Sequence, residues 1–161
     1  MIKKYLILIL LSLIFNTSIF AASNDDTSSK VNDYLKASNL IKAAKKYEKK
    51  GKIEKAQKRY EKAQKLLLKS NKEKPLQADT LNYLGFTTRK LGDYKKGEEY
   101  YLLGLKIEPN HKGINEYLGE LYVVTNRIDL ANKRLDVLKD CNCEEYNELK
   151  AIIEGTKKSK Y

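Results

Sequence analysis

The feature that most limits how this chain can fold is a pattern that returns after 34 residues. In Ala78–His111, ADTLNYLGFTTRKLGDYKKGEEYYLLGLKIEPNH, the large apolar residues Leu81, Leu84 and Leu91 stand at helical spacing beside a small one, Gly85. Gly92 and Asp93 then interrupt the pattern, a second helical stretch carries Gly97, Tyr101 and Gly104, and Pro109 closes the unit. A shift of 34 residues finds the same plan, with Leu118, Gly119, Asn126, Ala131 and Leu135 in the places of Leu84, Gly85, Gly92, Gly97 and Tyr101. Upstream, Leu40, Ala43, Ala44, Tyr47, Gly51, Ala56, Tyr60 and Ala63 fall at the same offsets when a unit begins at Ala37. Self-similarity at such a period is the mark of an array of stacked supersecondary units.

The offsets have a physical basis. Two antiparallel helices pack closely only where small residues let their backbones cross. Ala44, Gly85 and Gly119 on the first helix of each pair, with Ala56, Gly97 and Ala131 on the second, supply that notch. Tyr60, Tyr101 and Leu135 are expected to fill the space beside it, and Gly51, Gly92 and Asn126 to turn the chain at positive φ. A glycine inside a helix costs about 1 kcal/mol relative to alanine, so its return at one offset argues for packing.

On these residues the sequence resembles the tetratricopeptide repeat family. The middle unit carries the resemblance furthest, through Leu81, Leu84, Gly85, Gly92, Tyr94, Gly97, Tyr101, Gly104 and Pro109. It implies an all-α, right-handed solenoid of three helix pairs, about 37–77, 78–111 and 112–143. The first unit runs 41 residues to the next start, and its seven extra residues add two turns, so its second helix should be about 10 Å longer. The third departs at its end, with Leu138 for the small residue and Cys143 where proline would stand. A stacked array needs an end with a polar outer face. EEYNELKAIIEG, 144–155, suits that capping helix: Leu149, Ile152 and Ile153 form one edge, Glu144 and Glu145 favour a helix start, and Gly155 stops it. Residues 156–161 are expected to be a solvated tail.

At the other end, Lys3 and Lys4 precede an apolar run from Tyr5 to Phe15, then polar residues and Ala21-Ala22, the layout of an export signal over 1–21. The run is too short to span about 30 Å of hydrocarbon, and 22–32 is expected to be a disordered linker. The expectation is an exported product, periplasmic or secreted, with no stable membrane insertion after cleavage. Residues 22–75 hold 16 Lys and Arg against 7 Asp and Glu, whereas 76–161 hold 14 of each. Nearly all the excess is lysine without arginine or aromatic interleaving, so it carries no base-reading signal and no nucleic-acid partner is expected.

The residues for catalysis are scarce. One histidine, no glycine-rich phosphate loop and no nucleophile with a forced base partner leave an enzyme unexpected and no cofactor implied. A solenoid of this kind instead offers a concave groove lined by the first helix of each unit. Its facing places include Lys45 and Lys49; Asp79, Asn82, Phe86, Arg89 and Lys90; and Gly113, Glu116 and Glu120. The expected roles are an apolar anchor for Phe86, backbone hydrogen bonds for Asn82, carboxylate capture by Arg89 and Lys45, and capture of a cationic side chain by Glu116 and Glu120. The carboxylate clamp of chaperone-binding relatives, Lys, Asn and Arg across three units, is not reproduced, so a chaperone C-terminal tail is not implied and the expected partner is a protein or peptide.

The only cysteines, Cys141 and Cys143, fall in the turn between the third pair and the cap. Export favours a disulfide, and residues two apart can reach the necessary Cα separation. So short a loop gives only about 1.6 kcal/mol of chain-entropy stabilisation. Free or intermolecular thiols are the alternative. A third possibility is a zinc or copper site joining the pair to His111, with Asp140 or Glu144 completing it, which would make the chain a thiol-redox or metal carrier. The ending also resembles small exported bacterial repeat proteins in which a cysteine pair precedes Glu-Glu-Tyr, usually with a wider gap.

Overall fold

The computed structural model describes residues 25–159, with side chains from residue 33 onward; the expected export signal lies outside the described residues. Seven helices and no strand occur among them: α1 Asp25–Lys49, α2 Ile53–Glu73, α3 Ala78–Lys90, α4 Tyr94–Ile107, α5 Lys112–Val124, α6 Ile128–Leu138 and α7 Glu144–Ile153. Consecutive helices pair as α1 with α2, α3 with α4 and α5 with α6, and α7 packs on both α5 and α6. The first helices α1, α3 and α5 also touch in succession, so with α7 they form one face of the array.

Local chemistry explains the boundaries. Gly51, Gly92 and Asn126 take φ of 67°, 97° and 57° at the three turns within pairs, a conformation that costs glycine nothing and asparagine little. The Asp93 carboxylate accepts from Lys96 N at 2.9 Å and caps α4. Gly155, at φ 72°, ends the capping helix. Helix α2 runs 21 residues against 14 for α4, which places the extra turns of the first unit in its second helix.

Two expectations about the ends change. Helix α1 begins at Asp25, inside the stretch read as a linker; no glycine or proline interrupts 25–49, so nothing in the backbone chemistry stops the helix at residue 33. The tail is not simply solvated at its start, because Thr156 Oγ1 donates to Ala151 O and Lys157 Nζ bonds Glu148 Oε1.

The notch residues act as their size requires. A Cβ built on Gly85 would lie 2.5 Å from the Tyr101 ring, and one on Gly97 would lie 3.0 Å from Gly85 O. At the third unit the filler differs from the expected Leu135. A Cβ on Gly119 would lie 2.5 Å from Leu149 of α7, so the capping helix occupies the space that Tyr101 takes one unit earlier. Leu149 and Tyr101 are both fully buried. Gly85→Ala is expected to lower stability by about 1–3 kcal/mol in urea unfolding through overpacking, although alanine is the better helix former.

Candidate functional site

The face formed by α1, α3, α5 and α7 divides into a closed part and an open part. In the closed part Phe86 is only 1% exposed. Its ring meets Tyr60 edge-on at 5.7 Å and Tyr117 at 5.1 Å between centroids. The expected apolar anchor is therefore core, because an aromatic pointing inward from α3 finds tyrosines of α2 and α5 on either side. Lys45 Nζ stands 4.5 Å from the Phe86 centroid and donates to Tyr117 Oη at 2.9 Å. Lys90 Nζ pairs with Glu48 at 2.6 Å, and Tyr60 Oη donates to the other oxygen of that carboxylate at 2.8 Å. Burial first, and then Glu48, push the Tyr60 phenol well above its usual range.

Arg89 departs furthest from expectation. Its side chain is 0% exposed, with Nη1 donating to Tyr117 O at 2.7 Å and Nη2 at 3.4 Å from Glu120 Oε2, itself fully buried. The guanidinium also lies 5.6, 5.7 and 5.4 Å from the ring centroids of Phe86, Tyr101 and Tyr117. Burial pulls its pKa down, against the opposing pull of Tyr101, Glu120, Tyr117 and Glu116. Neither Arg89 nor Glu120 can meet a partner. They tie α3 to α5 inside the array, and Lys49 is the one residue of the expected basic end that stays exposed.

The open part lies between α3, α5 and α7. A cleft of about 440 Å³ is lined by Asp79, Asn82 and Tyr83 of α3, Glu108 and His111 of the turn, Lys112, Gly113, Glu116 and Tyr117 of α5, and Glu145 of α7. Asn82 is 7% exposed, and its Oδ1 accepts no hydrogen bond among the described residues. Its amide lies against the α5 backbone: a Cβ on Gly113 would come within 2.8 Å of Asn82 Nδ2. Glu116 is buried at the cleft wall, and Asp79 is 73% exposed at the rim. A second hollow continues along α7, lined by Glu116, Tyr117, Glu144, Glu145 and Glu148. Of the residues expected to face a partner, Asp79, Asn82, Gly113 and Glu116 are brought together here. Glu108 and Glu145 were not among them, because the turn and the cap contribute to the face only after the units have stacked.

His111 serves this cleft as a strut. Its Nδ1 accepts from Ile114 N at 3.1 Å and caps α5. The remaining nitrogen, Nε2, therefore donates to Asp79 Oδ1 at 3.1 Å. With both ring nitrogens engaged, His111 does not join the cysteines. Cys141 and Cys143 are bonded to each other across a Cα separation of 5.2 Å. No group of three or more His, Cys, Asp or Glu side chains among the described residues is arranged to hold a metal ion. Cys143 is the residue that opens α7. Among the described residues no helix is long and apolar enough to cross a membrane.

No family model matches this sequence, and no curated protein matches it. Solved structures do. The first tetratricopeptide domain of Spaghetti (RPAP3), bound to the HSP90 peptide SRMEEVD, is 21% identical with a TM-score of 0.52, over 76% of this chain and 94% of that one. The first such domain of human RPAP3, solved by NMR, is 21% identical with a TM-score of 0.54, over 78% of this chain and 98% of that one. The chain has the tetratricopeptide-repeat fold, a helical-repeat solenoid.

The Arg89–Glu120 pair is open to a double-mutant cycle. Glu120→Leu is expected to cost about 3–5 kcal/mol by removing the carboxylate paired with a buried charge, while Arg89→Met combined with Glu120→Leu should cost far less than the two single changes together. Urea unfolding of the four proteins measures both.

Proposed function

We propose that this chain is an exported scaffold that binds a peptide or an envelope protein through the cleft between α3, α5 and α7. The observation that carries the reading is the Asn82 amide, nine-tenths buried in the cleft wall with an acceptor oxygen left without a partner among the described residues. A buried polar atom of this kind is costly unless something satisfies it, and an extended peptide supplies donors along its backbone. The fold lends support, since the Spaghetti (RPAP3) domain holds a peptide and tetratricopeptide domains are generally non-catalytic interaction modules. The binding surface is narrower than the whole concave face, because the end built by the first unit is filled by its own side chains.

A photo-crosslinking residue at Lys112, on the cleft, is compared in cells with one at Lys62 on α2. One protein should be captured from position 112 and not from 62, and the adduct should disappear when Asn82→Ala is added. Equal capture from both positions, or capture insensitive to Asn82, overturns the reading. Export rests on the first 21 residues alone and has its own test: N-terminal sequencing of the mature protein is expected to begin near Ala22, and an intact Met1 would disprove cleavage.

A further inference from the structure

The cleft's chemistry specifies more than a peptide. Building on the peptide-binding reading, we propose that the cleft is a primary-ammonium site, receiving the side chain of a lysine from an extended basic segment of the partner. In the cleft wall the acceptor Oδ1 of Asn82 has no hydrogen-bond partner among the described residues, so the group it calls for is a hydrogen-bond donor. Asp79, Glu108, Glu116 and Glu145 line the same cleft as that acceptor, with Lys112 as the one lysine or arginine among its lining residues. His111 is turned to other work, its Nδ1 accepting from Ile114 N and its Nε2 held on Asp79 Oδ1. A protein whose formal net charge is +11 thus sets four carboxylates along a cleft where a donor is needed.

The acidic wall already holds an ammonium at its far end. Lys157, from the segment after α7, bonds Glu148, which lines the continuing hollow with Glu116, Glu144 and Glu145. Lysine suits the inner position better than arginine. Its compact ammonium, with three donors on a flexible stem, can reach a single recessed acceptor, whereas a planar guanidinium calls for a facing pair. Gly113 makes room for the Asn82 amide in the cleft wall. Any side chain there would displace the Asn82 amide, the mobile end of a side chain, so alanine at 113 moves the acceptor and leaves the helix intact.

Calorimetric titration with acetyl-Gly-Ala-Lys-Ala-Lys-Ala-Gly-amide tests the site. Affinity should fall as salt screens the rim carboxylates, and should drop more than tenfold when both lysines carry Nε-acetyl groups. Asn82→Ala and Gly113→Ala should each weaken binding about tenfold, and Asp79→Asn with Glu145→Gln about fivefold, while circular dichroism shows all three folded. Unchanged affinity in the Asp79/Glu145 variant, or preference for spermidine over the peptide, overturns the lysine site. An acetylated peptide ending in a free carboxylate, acetyl-Gly-Ala-Glu-Ala-Asp, separates the two readings. If it binds in an Asn82-dependent way and the lysine peptide does not, the ammonium site is wrong and groove binding stands. If neither peptide binds and position 112 captures nothing in cells, both are wrong.

Discussion

The array depends on a guanidinium buried where three rings and a carboxylate meet. Arg89 lies at the junction of the second and third units, hydrogen-bonded to the Tyr117 backbone carbonyl and paired with Glu120. A charge with no access to water is tolerated only when it is paired and hydrogen-bonded. The surroundings therefore have to be arranged around it: Phe86, Tyr101 and Tyr117 present their faces, and Glu120 must sit one unit along at the matching height. This orders α3 against α5 more narrowly than apolar contact would, since a slip of either helix would leave buried charges apart.

That ordering sets what the outer face can do. With Arg89, Phe86 and Glu120 turned inward and Lys45 lying over the Phe86 ring, the end of the face built by the first unit is closed. The cleft begins where α5 approaches α3 through Gly113, and the Asn82 amide is held there in the gap. The turn after α4 supplies His111, which caps α5 with one nitrogen and holds Asp79 with the other. The capping helix completes the wall with Glu145. Capping an apolar end and shaping a polar cleft are thus done by one helix, whose Leu149 fills the Gly119 notch.

Much of this was legible before any coordinates. The small residues at Gly85 and Gly97, the turns at Gly51, Gly92 and Asn126, the longer second helix of the first unit and the cap at 144–155 follow from periodicity and residue size, which are local properties. The site was legible only in part. Asp79, Asn82, Gly113 and Glu116 were marked by position, but Phe86, Arg89 and Glu120 occupied equally facing places and proved to be interior. A position on a helix face says which way a side chain leaves the backbone. It does not say how near the next helix comes, and that distance separates a groove residue from a core residue.

The sequence by itself determined the helix pairs, their turns and their order of stacking, because each follows from backbone preference and side-chain volume repeated along the chain. Tertiary structure decided the fate of the polar residues. The interval between α3 and α5 turned Arg89 and Glu120 into an internal pair, and the arrival of α7 and the 108–111 turn brought Glu145, Glu108 and His111 to the opening where Asn82 keeps an acceptor with no partner among the described residues. Burial and pairing depend on neighbours distant in sequence, and no repeat offset encodes them.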